Sequence, residues 1–212
     1  MLTDVKSTTE VSASVWHPYH GGNNIKMKSA QSHHIKNLDA WPALKVFQVQ
    51  SQNDFQLYEL GIMALLKRFQ SVLLDDFTAG DVQHLVDNTR GYCPWLWLLV
   101  SADPEPSARV YGLIALSDII PGRHAFVHGV SHPEIRKHPA IHQLAREVLS
   151  IAFNDLKVHK VKAEIEADNI GAKGFCRRMG FTREAHFRQD NRLDGLWRDV
   201  LVYSLRRSSY RF

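Results

Sequence analysis

Charged and apolar residues alternate most clearly from Lys160 to Ala167, with Val161, Ala163, Ile165 and Ala167 on one side. A period of two predicts a strand with one covered face. The spacing then widens: Ala172, Phe175, Cys176 and Met179 share one side of a predicted helix. Asp168 or Asn169 offers its N-cap. Gly180 ends it in the left-handed conformation that costs glycine little, and Phe181 begins the next strand.

Upstream, Leu44 to Gln50 alternates like a first strand, and Phe55 to Leu74 carries Tyr58, Ile62, Leu65, Leu66 and Phe69 at helical spacing. A second helix is expected over residues 79–87. Trp95 to Val100 is short and almost wholly apolar, as in a buried strand; the loop from Ala102 to Pro106 turns the chain and Val110 to Leu116 returns. Pro121-Gly122 makes the next turn before a strand from Ala125 to Ser131. Ile141, Leu144, Val148, Leu149 and Ala152 mark a further amphipathic helix, with Pro139 suited to its first turn. Residues 1–40 are polar and show neither period, so they are expected to form a flexible or irregular arm ahead of one domain over 41–212.

Composition narrows the classes without choosing among them. The 212 residues, 44% hydrophobic and 23% charged, suit one soluble domain with a full core. No run reaches the eighteen or so apolar residues of a membrane span, and the N-terminus lacks a secretory pattern. Cys93 and Cys176 are the only cysteines, too few for a disulfide framework, so a reducing, cytoplasmic setting is expected. His17, His20, His33 and His34 lack a cysteine partner or helical ligand spacing, and no metal is expected. The net charge of +4 is not gathered into one block; a nucleic-acid partner is not expected.

The run from Asn169 to Glu184, with Ala172, Arg178 and Gly180-Phe181 between, resembles the second half of an acyl-CoA N-acyltransferase of the GNAT superfamily. Its continuation through Arg188, then Gly195-Leu196-Trp197-Arg198-Asp199 and an apolar strand containing Tyr203, is similar to the branch of ribosomal-protein Nα-acetyltransferases and polyamine acetyltransferases. The resemblance covers roughly residues 95 to 206. It implies an α/β GNAT fold, a mixed central sheet flanked by helices. It also implies acetyl-CoA as donor and a primary amine (a protein N-terminus, a polyamine or a small amine) as acceptor, with direct transfer in a ternary complex. A homodimer is among the assemblies it implies.

Pro133-Glu134-Ile135-Arg136 is similar to the start of the family's cofactor loop, but Lys137, Pro139 and Ile141 stand where glycines are usual. Free amides at a helix N-terminus bind pyrophosphate; Pro139 removes one N–H and Ile141 adds bulk. The residues expected at the cofactor are Val130, His132, Arg136, Lys137, His138, Ala140, Ile141, Asn169 and Phe175, with side-chain charge standing in for lost amides. The resemblance places Glu184 as the base for the amine. Cys176 occupies the position of the family's proton-donating tyrosine, and Ala172 that of a serine used in the same branch. His128, His132 and Glu134, on or just after the central strand, are further candidates for the base. The replaced glycines and missing donors support a rival reading, a GNAT-fold binding module without catalysis.

Overall fold

Strands β2 (Leu96–Ser101) and β3 (Val110–Ile120) are buried at nearly every position up to Leu116, the pattern of strands covered on both faces. On one face lie α1 (Gln52–Lys67) and α2 (Val82–Gly91), which pack Phe55, Ile62, Leu65, Leu66 and Val86 on Leu98 and Leu113. On the other lies α3 (Pro139–Ser150), whose Leu144, Ala145 and Val148 cluster with Leu99, Ile114 and Leu116. The structure, a computed structural model, describes residues 44–69, 73, 81–102, 109–193 and 195–211. The arm expected over 1–40, its histidines, and most of the loop expected after Ala102 lie outside the described residues.

The sheet has seven strands in the order β1 (Leu44–Val49), β2, β3, β4 (His124–Ser131), β5 (Lys160–Glu166), β7 (Leu196–Arg206) and β6 (Thr182–Leu193). Every neighbouring pair is antiparallel except β4 and β5, which run parallel. Their pairing is short: His124, Ala125 and Phe126 face Lys160, Val161 and Lys162. Beyond that point β4 stays with β3 as far as Ser131, while β5 stays with β7 as far as Glu166. The two strands therefore form a V that opens toward their C-terminal ends.

Caps decide where the helices begin, and the ends also move: the first stops at Lys67, short of the expected Leu74, and the second runs on to Gly91, past the expected 87. α1 starts before Phe55 because Ser51 Oγ accepts from Asp54 N at 3.1 Å while Asp54 accepts from Ser51 N at 3.0 Å. α2 starts after residue 79 because Asp81 accepts from Gln83 N and His84 N. Of the two caps proposed for α4 (Ile170–Arg178), Asn169 serves, its Oδ1 accepting from Ala172 N at 3.0 Å. Asp168 instead pairs with Arg198 at 2.6 Å.

Gly180 ends α4 with φ of +84°, and a Cβ there would lie 3.6 Å from Leu205 Cδ1, an ordinary contact. Gly180→Ala should therefore lower stability through the backbone alone, by about 1–2 kcal/mol. Leu144→Ala, which empties a fully buried site, should cost roughly 2–5 kcal/mol. Equilibrium urea unfolding checks both; a Gly180→Ala variant as stable as the parent would contradict the left-handed constraint.

Candidate active site

The open end of the V meets the turn that joins β4 to α3. His132 leads into a single 3-10 turn, Pro133–Ile135, and His138 caps α3. The side chain of Ile141 does not fill this turn. It is 5% exposed, and its Cδ1 lies 3.4 Å from where a Cβ on Gly112 would sit. Ile141 and Ile135 thus pack onto β3 where Gly112 leaves room. Ala140 is fully buried and Pro139 exposed at the first helical position.

The amides of the turn are already engaged. Ile135, Arg136, His138 and Ile141 donate to carbonyls within the turn. Ala140 N donates to His138 Nδ1 at 3.0 Å, so this buried imidazole occupies a position that an anion at the helix terminus would otherwise take. Burial pushes the His138 pKa down, which keeps Nδ1 an acceptor. Of the N–H groups from His132 to Ile141, that of Lys137 alone has no acceptor among the described residues. The Arg136 and Lys137 side chains are exposed beside it.

His132 is buried in a cluster with Arg109, Tyr111 and Glu134. Arg109 Nη2 lies 3.3 Å from His132 Nε2 and 3.3 Å from Glu134 Oε2, and its guanidinium stands 4.8 Å over the Tyr111 ring. Both ring nitrogens face donors, Nε2 the Arg109 guanidinium and Nδ1 the Glu134 N–H at 3.4 Å, and Glu134 Oε2 lies 3.5 Å from Nδ1. Burial lowers the His132 pKa, with Glu134 opposing. Val130, two residues earlier, packs on the α1/α2 side of the sheet.

A second imidazole stands on the diverging part of β4. His128 Nε2 is 2.8 Å from Ser117 Oγ, Ser117 donates to Asp118 Oδ2 at 3.1 Å, and the Tyr92 ring stacks on the imidazole at 5.3 Å and 11°. A hydroxyl has one proton; with that proton on Asp118, Nε2–H donates to Oγ and the imidazole lone pair is on Nδ1. Asp118 holds a φ of +44° where the β3–β4 register shifts between Ser117 and Ile120. Strain of this kind persists only where the surroundings impose it. Burial lowers the His128 pKa and Asp118 opposes, so the ring is neutral at pH 7.

The other expected residues lie elsewhere. Glu184 sits at a bulge in β6 and pairs with Lys160. Hydrogen bonds from Lys160 and Ser204 hold its carboxyl below the ordinary carboxylate range. Cys176 is buried on α4 and its thiol is pushed up to about 11 by burial. Phe175 packs on His142 with centroids 5.1 Å apart, and His142 Nε2 accepts from Arg178 Nε at 3.3 Å, so these residues tie α3 to α4. The structure brings His132 to Glu134 and sets Glu184, Cys176 and Asn169 apart from them. Tyr92, Arg109, Tyr111, Ser117 and Asp118 were not expected; Ser117-Asp118 ends the apolar run of β3, and that polar pair was their one signal in the sequence. Among the described residues no three His, Cys, Asp or Glu side chains could hold a metal, and no helix is long and apolar enough to cross a membrane.

Comparison with known proteins accords with this architecture. Residues 49–182 match the model of the acetyltransferase (GNAT) domain. A probable N-acetyltransferase, YjcK of Bacillus subtilis (strain 168), is 26% identical over 99 residues, 46% of this chain and 55% of that protein. The match therefore spans about half of that relative's length. Among solved structures, ribosomal-protein-S5-alanine acetyltransferase from Vibrio fischeri shares 13% identity and a TM-score of 0.62, over 86% of this chain and all of the other. Spermidine N-acetyltransferase from Vibrio cholerae, solved with CoA and spermine, shares 18% identity and a TM-score of 0.60, over 79% and 97%. At these identities the structures speak for the fold, and the domain match over most of the chain shows that it belongs to the GNAT acetyltransferase family.

Proposed function

We propose that the chain is a cytoplasmic N-acetyltransferase that carries acetyl from acetyl-CoA directly to a primary amine in a ternary complex. The observation that carries the reading is the V between β4 and β5, where two strand edges are left without each other as partners. Unpaired edges bind extended ligands through main-chain hydrogen bonds. Val127 to Ser131, beyond the last paired residue, is about 13 Å of β4 at the usual rise per residue, a length of free edge that suits the extended pantetheine arm. At the open end, the Lys137 N–H and the Arg136 and Lys137 side chains would hold phosphate. His132, His138, Ala140 and Ile141 shape the turn, Phe175 packs on His142 of α3, and Asn169 would meet the pantetheine arm from the α4 cap. The loop is altered from the glycine-rich form: its binding relies on side-chain charge where amides are internally engaged.

In the reaction the amine nitrogen attacks the thioester carbonyl, the C–S bond breaks, the nitrogen loses a proton and the departing thiolate gains one. We place His128 first as the base, because burial keeps its imidazole neutral at pH 7 and Ser117 and Asp118 fix its tautomer. Glu184 comes second, since its ion pair with Lys160 weakens it as a proton acceptor; Glu134, exposed and paired with Arg109, comes third. A Cys176 thiol at about 11 would give its proton to an ordinary thiolate uphill by roughly 3 kcal/mol, so its role is packing. The exposed Phe187, Leu196 and Trp197 on the β6–β7 hairpin are the surface that a homodimer would use.

Acetyl-CoA should raise the melting temperature, a hundredfold excess over Kd adding about 2.7 kcal/mol. Replacing Arg136 and Lys137 together by Ala should weaken CoA more than pantetheine, which lacks the phosphates. No shift at millimolar acetyl-CoA would leave the non-catalytic binding module as the reading.

His128→Gln should lower turnover by roughly a hundredfold or more, Glu184→Gln by less and Cys176→Ala least, with acetyl-CoA binding retained in all three. Because the folded His128 pKa is lowered, kcat/KM should stay level from pH 8 down to about 6.5 and fall only below it. Loss of activity in Glu184→Gln with His128→Gln near the parent would assign the base to Glu184.

A further inference from the structure

Arg123, Lys160 and Lys162 bring positive charge to the apex of the V. Gly122, Arg123 and His124 from the β3–β4 turn face His159, Lys160 and Lys162 from the start of β5 across a cleft of about 300 Å³. The cleft is held by the backbone: His159 N and Lys160 N both donate to the Arg123 carbonyl, at 3.0 and 3.1 Å. Lys162 Nζ stands 5.1 Å from the centre of the Phe126 ring, and the His124 ring meets the same ring edge-on at 6.0 Å. Phe126, the last β4 residue paired with β5, thus touches the cleft on one side and begins the diverging segment on the other.

The cations are only partly balanced. Glu184 pairs with Lys160. Glu164 acts on Lys162 through space, while burial and the neighbouring Lys162 and Arg123 push the His124 pKa down and keep that ring neutral. Among the described residues no carboxylate forms an ion pair with Arg123 or Lys162.

With phosphate at the α3 end, the acetyl group lies toward the apex, and the acceptor amine must reach it there. Strand alternation puts His124, Phe126 and His128 on one face of β4, so an acceptor amine at His128 has its remaining atoms over Phe126 and the cleft. We infer that the acceptor is a small primary amine bearing an anionic group several bonds away, the anion seated on Lys162 and Arg123. This inference rests on the acetyl-transfer reading. His128 lies two strand residues, about 7 Å, beyond the level of Lys162, which sets the spacing between amine and anion. A diamine or polyamine would bring its second ammonium against unpaired cations, a repulsion that selects against it.

The test compares 4-aminobutanoate with 1,4-diaminobutane, which match in length and differ in the charge of the distal group. The full chain should acetylate the amino acid with kcat/KM at least tenfold higher, and Lys162→Glu should reverse that order while retaining the melting shift with acetyl-CoA. A preference for the diamine, a ratio unchanged in Lys162→Glu, or turnover of neither amine in a protein that acetyl-CoA stabilises would overturn the inference and leave the acetyl-CoA reading standing. Absence of the acetyl-CoA shift would sink that reading instead, and this inference with it.

Discussion

Parallel pairing between β4 and β5 stops after three residues, and the hydrogen-bonding groups along the two diverging edges set the character of the molecule. Each strand is secured on its other side, β4 by β3 and β5 by β7, so neither can swing across to close the gap. An unpaired strand edge invites pairing with another extended chain or ligand. The mixed sheet, the helices on both faces and the turn into α3 all bear on that opening. The family's chemistry needs a linear thioester held in extended form beside an amine, and an interrupted strand pair can provide it.

The turn at the open end shows how a changed loop can keep the architecture. Glycines at positions 137, 139 and 141 would leave amides free for phosphate. Here Pro139 starts the helix, Ile141 is drawn into the core above Gly112, and the His138 imidazole caps Ala140 N. The helix is thereby stabilised without a ligand, and the site is less prepared for an anion. Arg136 and Lys137 remain exposed at the same place, so attraction there comes from mobile side chains and weakens with salt more than a backbone cradle would.

Most of the fold was legible because periodicity reports which faces are covered. The alternation from Lys160 and the helical spacing from Ala172 to Met179 gave β5 and α4 with little error, as did the apolar run that became β2. Helix starts were less legible, since Ser51 and Asp81 act through capping bonds that hydrophobic spacing does not reveal. The site was legible only in part. His128 was visible as a candidate, but Tyr92, Ser117 and Asp118 reach it from other elements, and no local pattern connects residues so far apart in sequence. The pairing of Glu184 with Lys160 was hidden for the same reason: β7 lies between their strands. The inward turn of Ile141 depends on the space above Gly112, which only the packed sheet defines.

Amide hydrogen exchange along β4, with and without acetyl-CoA, tests the central claim most directly. Filling of the V predicts slowed exchange at amides between Val127 and Ser131 and at Lys137, with the β1 and β2 amides unchanged. Protection confined to other elements, or none at saturating acetyl-CoA, would contradict the account.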